Sequence, residues 1–125
     1  MAWLFIDTAT AGELRAGRLG VPSKVRRRKG RAGALVPFLM SVVGEQVPDG
    51  VCVVAGPGSF SAVRSGVLAA NLLARWWKVP LVGVDQVRAE DMKSLAEDLS
   101  SDALAPTSYV APVYDAEPNI TIKTV

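Results

Sequence analysis

Five apolar residues in a row, Val51-Cys52-Val53-Val54-Ala55, dictate the architecture. A strand with one face in water alternates polar and apolar residues. A β-branched run without alternation belongs to a strand covered on both faces. Trp3-Leu4-Phe5-Ile6 and Pro80-Leu81-Val82-Gly83-Val84 have the same character, and each ends at Asp. Three buried strands need helices over them, so the chain belongs to the α/β class.

The intervening segments supply those helices. From Ala32 to Gln46, Leu35, Leu39, Val42 and Val43 recur at three and four, predicting a helix over 34–46 with Pro37 in its first turns. Val47-Pro48-Asp49-Gly50 ends it. Gly56-Pro57-Gly58-Ser59 is a strand-to-helix turn, with Ser59 or Ser61 as N-cap of a helix to about Trp77. Asp85 caps a third helix to about Leu99, with Val87, Met92, Leu95 and Leu99 as its stripe. Gly12–Leu19 reads as a half-buried strand, and Ser23–Arg28 as a highly charged one. The order predicts a mixed five-stranded sheet, opening with an antiparallel meander, with helices on its faces. Residues 1–100 form this lobe; Ser100–Thr107 is linker-like, and Tyr109–Tyr114 and Asn119–Val125 read as two last strands.

Composition removes whole classes of chemistry. The 125 residues include no histidine and a single cysteine, Cys52. Ser-His-Asp triads, imidazole metal ligands, internal disulfides and thiolate clusters are excluded. The lone thiol fits a reducing cytoplasm. No apolar run reaches the ~18–20 residues of a membrane span, and the N-terminus lacks the basic region of a signal peptide.

Three places invite a functional reading. Asp7-Thr8 after the first strand, and Gly56, Gly58 and Ser59 at the glycine turn, would suit a phosphate or nucleotide; an Asx-type turn and a tight strand-to-helix turn are the plain alternatives. No Gly-Lys-Ser/Thr follows the turn, so it is not a Walker loop. Eight of the fourteen cations lie between Arg15 and Arg31. Arg26, Arg27, Arg28 and Lys29 are candidates for nucleic-acid phosphates, against the reading of a charge-protected edge strand. The segment lacks aromatics for base stacking. Along the helix to Trp77, Ala62, Gly66, Ala70 and Ala74 repeat every four residues as a smooth ridge, with Val63, Val67 and Leu73 beside it.

The sequences Phe5-Ile6-Asp7-Thr8-Ala9-Thr10, Ala55-Gly56-Pro57-Gly58-Ser59-Phe60-Ser61-Ala62-Val63-Arg64-Ser65-Gly66 and Val79-Pro80-Leu81-Val82-Gly83-Val84 resemble the TsaB (YeaZ) family. Val113-Tyr114-Asp115-Ala116 resembles the opening of that family's second domain. The resemblance implies an actin-like, ribonuclease H-like lobe of the superfamily of actin, sugar kinases and heat-shock ATPases. Residues 101–125 would then be a linker and a remnant of the second lobe. It implies a role in making threonylcarbamoyladenosine in tRNA. In that family TsaB is not the catalyst; it acts with its paralogue TsaD and the ATPase TsaE, which carry ATP and metal. No cofactor, metal or catalytic residue is therefore expected on this chain, and no membrane partner.

On that reading the chain dimerises, with TsaD or with itself, through its two long helices. The expected interface is Leu35, Leu39, Val42, Ala62, Val63, Gly66, Val67, Ala70, Leu73 and Ala74. The competing expectations are an active phosphotransferase or ATPase of the superfamily, using Asp7 and the glycine turn, and a truncated regulator of TsaB–TsaD assembly.

Overall fold

A computed structural model describes residues 2–20 and 23–114. Strands β1 (Ala2–Asp7), β2 (Glu13–Gly20), β3 (Lys24–Lys29), β4 (Gly50–Gly56) and β5 (Leu81–Asp85) form one sheet in the order β3-β2-β1-β4-β5. The β1–β2 and β2–β3 pairings are antiparallel, and β1–β4 and β4–β5 are parallel. This is the mixed five-stranded sheet the sequence predicts. Hairpins join the first three strands, whereas the parallel strands are reached through helices α1 (Leu35–Val43) and α2 (Phe60–Trp77).

Side-chain alternation divides the sheet's faces. Arg18 donates to the Val43 carbonyl of α1 at 2.7 Å, and Thr8 to the Ala62 carbonyl of α2 at 2.6 Å. Even-numbered residues of β1 and β2 therefore face α1 and α2. Helix α3 (Met92–Ser100) packs against β2 through Leu95, Ala96 and Leu99 on the other side. Phe5, Ile6, Val51, Val53 and Val54 are wholly enclosed, as a doubly covered centre requires.

Three boundaries differ from expectation. Helix α1 stops at Val43, not Gln46, because Gly44 takes a φ of 65° that other residues adopt at a cost. The third helix has two starts: Asp85 accepts from the Arg88 amide of a short 3₁₀ turn (Arg88–Glu90), and Asp91 accepts from Ser94 to cap α3. Val87 is consequently exposed rather than part of the stripe. Residues 109–114 form a strap, not a strand. The Val110 amide donates to Asn71 Oδ1 at 2.9 Å, Asn71 Nδ2 returns to the Val110 carbonyl at 3.0 Å, and the Val113 amide reaches the Ala55 carbonyl at 2.7 Å. The expected strand at 119–125 lies outside the described residues.

Candidate functional site

The ends of β1 and β4 meet the start of α2, where the phosphate reading located its residues. Asp7 is buried, and the chain itself occupies both its oxygens. Oδ1 accepts the Ala9 amide at 2.9 Å; Oδ2 accepts Arg15 through Nη2 at 2.7 Å and Nε at 3.1 Å. The Arg15 guanidinium also lies 5.3 Å over the Phe5 ring. Asp7 thus pins the β1–β2 hairpin, a task different from holding a phosphate or metal.

The glycine turn is closed in the same way. A Cβ at Gly58 would sit 2.5 Å from the Ala9 carbonyl oxygen, and one at Gly56 would fall on the Val113 carbonyl. Gly56 has a φ of +127°, and Gly58 bridges to Tyr114. These glycines admit the strap and the end of β1. Ser59 precedes α2 without capping it, and among the described residues its buried hydroxyl has no hydrogen-bond partner. At Asp7, Gly56 and Gly58 the chain's own groups thus take up the polar atoms or the near space. A cavity of about 590 Å³ lies next to them, bordered by Thr8, Thr10, Gly12, Arg31, Ser61 and Ser65.

The ridge of small residues is corrected by the structure. Gly66, Ala70 and Ala74 are buried within the chain, with Val63 and Val67, and Ala62 is half-covered. On α1, Leu35 and Leu39 are likewise core, and Val42 is half-buried, as is Leu73 on α2. Gly66 shows the reason: α2 crosses Thr8 so closely that a Cβ would collide with the threonine side chain. Small residues face inward because the helix lies tight on its own sheet.

The apolar surface left in water is another row. Leu68, Leu72 and Trp76 follow one another at four-residue spacing on α2, with exposures of 56%, 60% and 80%. Val36 and Met40 of the neighbouring α1 are exposed with them. The sequence held this signal, since 68, 72 and 76 share a helical face. It also held a competing one of the same period.

The basic segment lies where the sequence suggests. Lys24, Arg26, Arg27, Arg28 and Lys29 are all exposed on β3, the sheet's edge. Arg26 stacks 5.7 Å over Phe38 of α1. Cys52 is fully enclosed in β4; burial pushes its thiol up from 9.0 to about 12, partly offset by Arg88.

A five-stranded mixed sheet whose first three strands form a meander, flanked by helices on both faces, is a ribonuclease H-like fold. The comparisons narrow this. A family model described as TsaD: tRNA N6-adenosine threonylcarbamoyltransferase matches residues 26–117, most of the sequence, and the chain belongs to this family. YeaZ from Pseudomonas aeruginosa has a similar structure, with a TM-score of 0.60, 22% identity, and coverage of 67% of this chain and 43% of that one. A second structure, an uncharacterized protein with similarity to peptidase YeaZ from Pseudomonas aeruginosa, gives a TM-score of 0.55 at the same identity and coverages. The chain spans under half the length of these structures. No curated protein sequence matches it. No helix among the described residues is long and apolar enough to cross a membrane.

Proposed function

We propose that this chain is a non-catalytic subunit in the formation of threonylcarbamoyladenosine in tRNA, pairing through α1 and α2 with a catalytic paralogue of its family or with a second copy. The observation that carries the reading is the exposed row Leu68, Leu72 and Trp76 beside Val36 and Met40, on a chain of the threonylcarbamoyltransferase family. Five large apolar side chains in water on two adjacent helices form a patch of the kind that marks an interaction site. Two such helix pairs, from two subunits, bury each other as a four-helix contact. The sequence supplies no imidazole for a metal, and in this reading metal and ATP are carried by the partner subunits. Asp7 and the glycine turn are occupied by the chain's own groups, which speaks against a phosphotransferase here.

The test combines two measurements. Deleting the gene should remove or sharply reduce threonylcarbamoyladenosine in hydrolysed tRNA, with restoration by wild type but not by Leu72→Arg. Light scattering should show the purified protein as a dimer, or as a stoichiometric complex with the cell's TsaD-family catalyst. Unchanged tRNA in the deletion strain overturns the role. A wild-type monomer with no affinity for that catalyst overturns the interface.

A further inference from the structure

Strand β3 carries cations at five of its six positions, and among the described residues no strand pairs with its outer side. The register gives the orientation of its backbone. The Gly30 amide donates to the Gly12 carbonyl at 3.0 Å, and this pair continues the pairings Glu13↔Lys29 and Leu14↔Arg28. In an antiparallel ladder alternate residues bond to the same neighbour. Lys24, Arg26 and Arg28 therefore bond inward to β2, while Val25, Arg27 and Lys29 turn their N–H and C=O groups outward. The opposite edge differs: at β5 the chain covers itself, with the Thr107 amide on the Leu81 carbonyl at 2.8 Å.

Side chains alternate across the same strand. Lys24, Arg26 and Arg28 line the α1 side, as the stacking of Arg26 on Phe38 confirms, and Arg27 and Lys29 line the other. Among the described residues none of these cations has an ion-pair partner; the pairs formed are Arg15–Asp7 and Arg88–Asp98. One or two lysines suffice to blunt an edge against accidental pairing. Five cations on both faces of one strand do more: they repel a second copy of the same edge, and they attract a carboxylate-rich strand.

We propose that β3 is a docking edge for an acidic, extended segment of a partner protein, which joins the sheet by backbone pairing to Val25, Arg27 and Lys29 while its carboxylates meet the flanking cations. Two observations favour a peptide over a nucleic acid. The strand has no aromatic residue on which a base would stack. The adjoining α1 has no charged residue at all, so on that side the basic surface follows the strand for about 17 Å. A peptide strand lies along the whole of that length. Pairing at an edge gives affinity through the main chain, and the side chains then choose the sequence. This inference is independent of the dimer and of the tRNA role proposed above.

The probe is a blocked octapeptide alternating glutamate and threonine, fluorescently labelled and titrated with the intact protein. Two controls separate backbone pairing from charge attraction. A fully N-methylated copy of the peptide keeps its charge and loses its amide donors. Val25→Pro removes an outward N–H from an edge strand, where proline is tolerated, and keeps every cation. Each should weaken binding by about tenfold or more, while binding of a short single-stranded RNA of equal charge is unaffected by Val25→Pro. No binding of the unmodified peptide overturns the proposal. So does equal binding of its N-methylated copy, or RNA that binds tighter than the peptide. If circular dichroism shows that Val25→Pro fails to fold, the N-methylated peptide decides alone.

Discussion

Replacing Gly66 by alanine tests whether α2 is as close to β1 as the structure places it. In an ordinary exposed helix the change gains about 1 kcal/mol from propensity. Here the new methyl would fall on Thr8 Oγ1, with Thr8 Cγ2 3.0 Å away, both buried under the helix. Thr8 has nowhere to turn without releasing the Ala62 carbonyl it bonds at 2.6 Å. Overpacking costs about 1–3 kcal/mol, and a broken buried hydrogen bond adds about 1 kcal/mol. Set against the propensity gain, the net loss is about 1–3 kcal/mol. At roughly 4 °C per kcal/mol for a chain this size, the thermal midpoint should fall by about 4–12 °C. Urea unfolding followed by circular dichroism measures the loss, and a cycle with Thr8→Ala locates it. With the threonine gone, Gly66→Ala should become neutral or stabilising by up to about 1 kcal/mol. If Gly66→Ala stabilises the wild-type chain, or costs the same in both backgrounds, the close approach is wrong.

Other expectations follow from the same geometry. Asp7→Ala leaves Arg15 half-enclosed without its partner and frees the Ala9 amide; an unfolding free energy lower by about 2–4 kcal/mol is expected, and a loss under about 0.5 kcal/mol would mark the pair as superficial. Ala70→Arg should unfold the chain in circular dichroism, since Ala70 is fully enclosed, whereas Leu72→Arg should leave the fold intact and alter only the mass seen by light scattering. The Cys52 thiol should resist alkylation in the folded protein and react once urea unfolds it. Because its folded pKa is raised, the stability it contributes is fully present below pH 9.0 and is lost as pH rises toward about 12. Cys52→Ala should flatten that alkaline decline in urea titrations.

The mixed five-stranded sheet and the chain order of its strands and helices were legible because each rests on a long-range consequence of a short pattern. The run Val51–Ala55 demands cover on both faces, and it has it. The exposed face of α2 was not legible, for a physical reason. That helix carries two apolar stripes of the same period, Gly66-Ala70-Ala74 and Leu68-Leu72-Trp76, and hydropathy does not rank them. Distance does: a helix packed at the Thr8 contact admits only small residues inward, so the large ones are left in water. The Asp7–Arg15 pair escaped notice because its members are eight residues apart and meet only through the hairpin register Asp7↔Arg15. Asp85 was the expected cap of the third helix, but Asp91, six residues on, caps α3; the 3₁₀ turn between them has no hydrophobic period to reveal it.

Asn71 has a consequence beyond holding the strap. Its carboxamide offers Val110 one donor and one acceptor, the same pair that a neighbouring strand's peptide group would offer. A helix, whose own peptide groups are consumed internally, here acquires a single rung of sheet-like pairing by side chain. The rung sits between Leu68 and Leu72, one turn apart on the exposed row. The strap and the exposed apolar row are thus anchored on one turn of one helix. A pull on the strap therefore bears first on the helix that carries the exposed row.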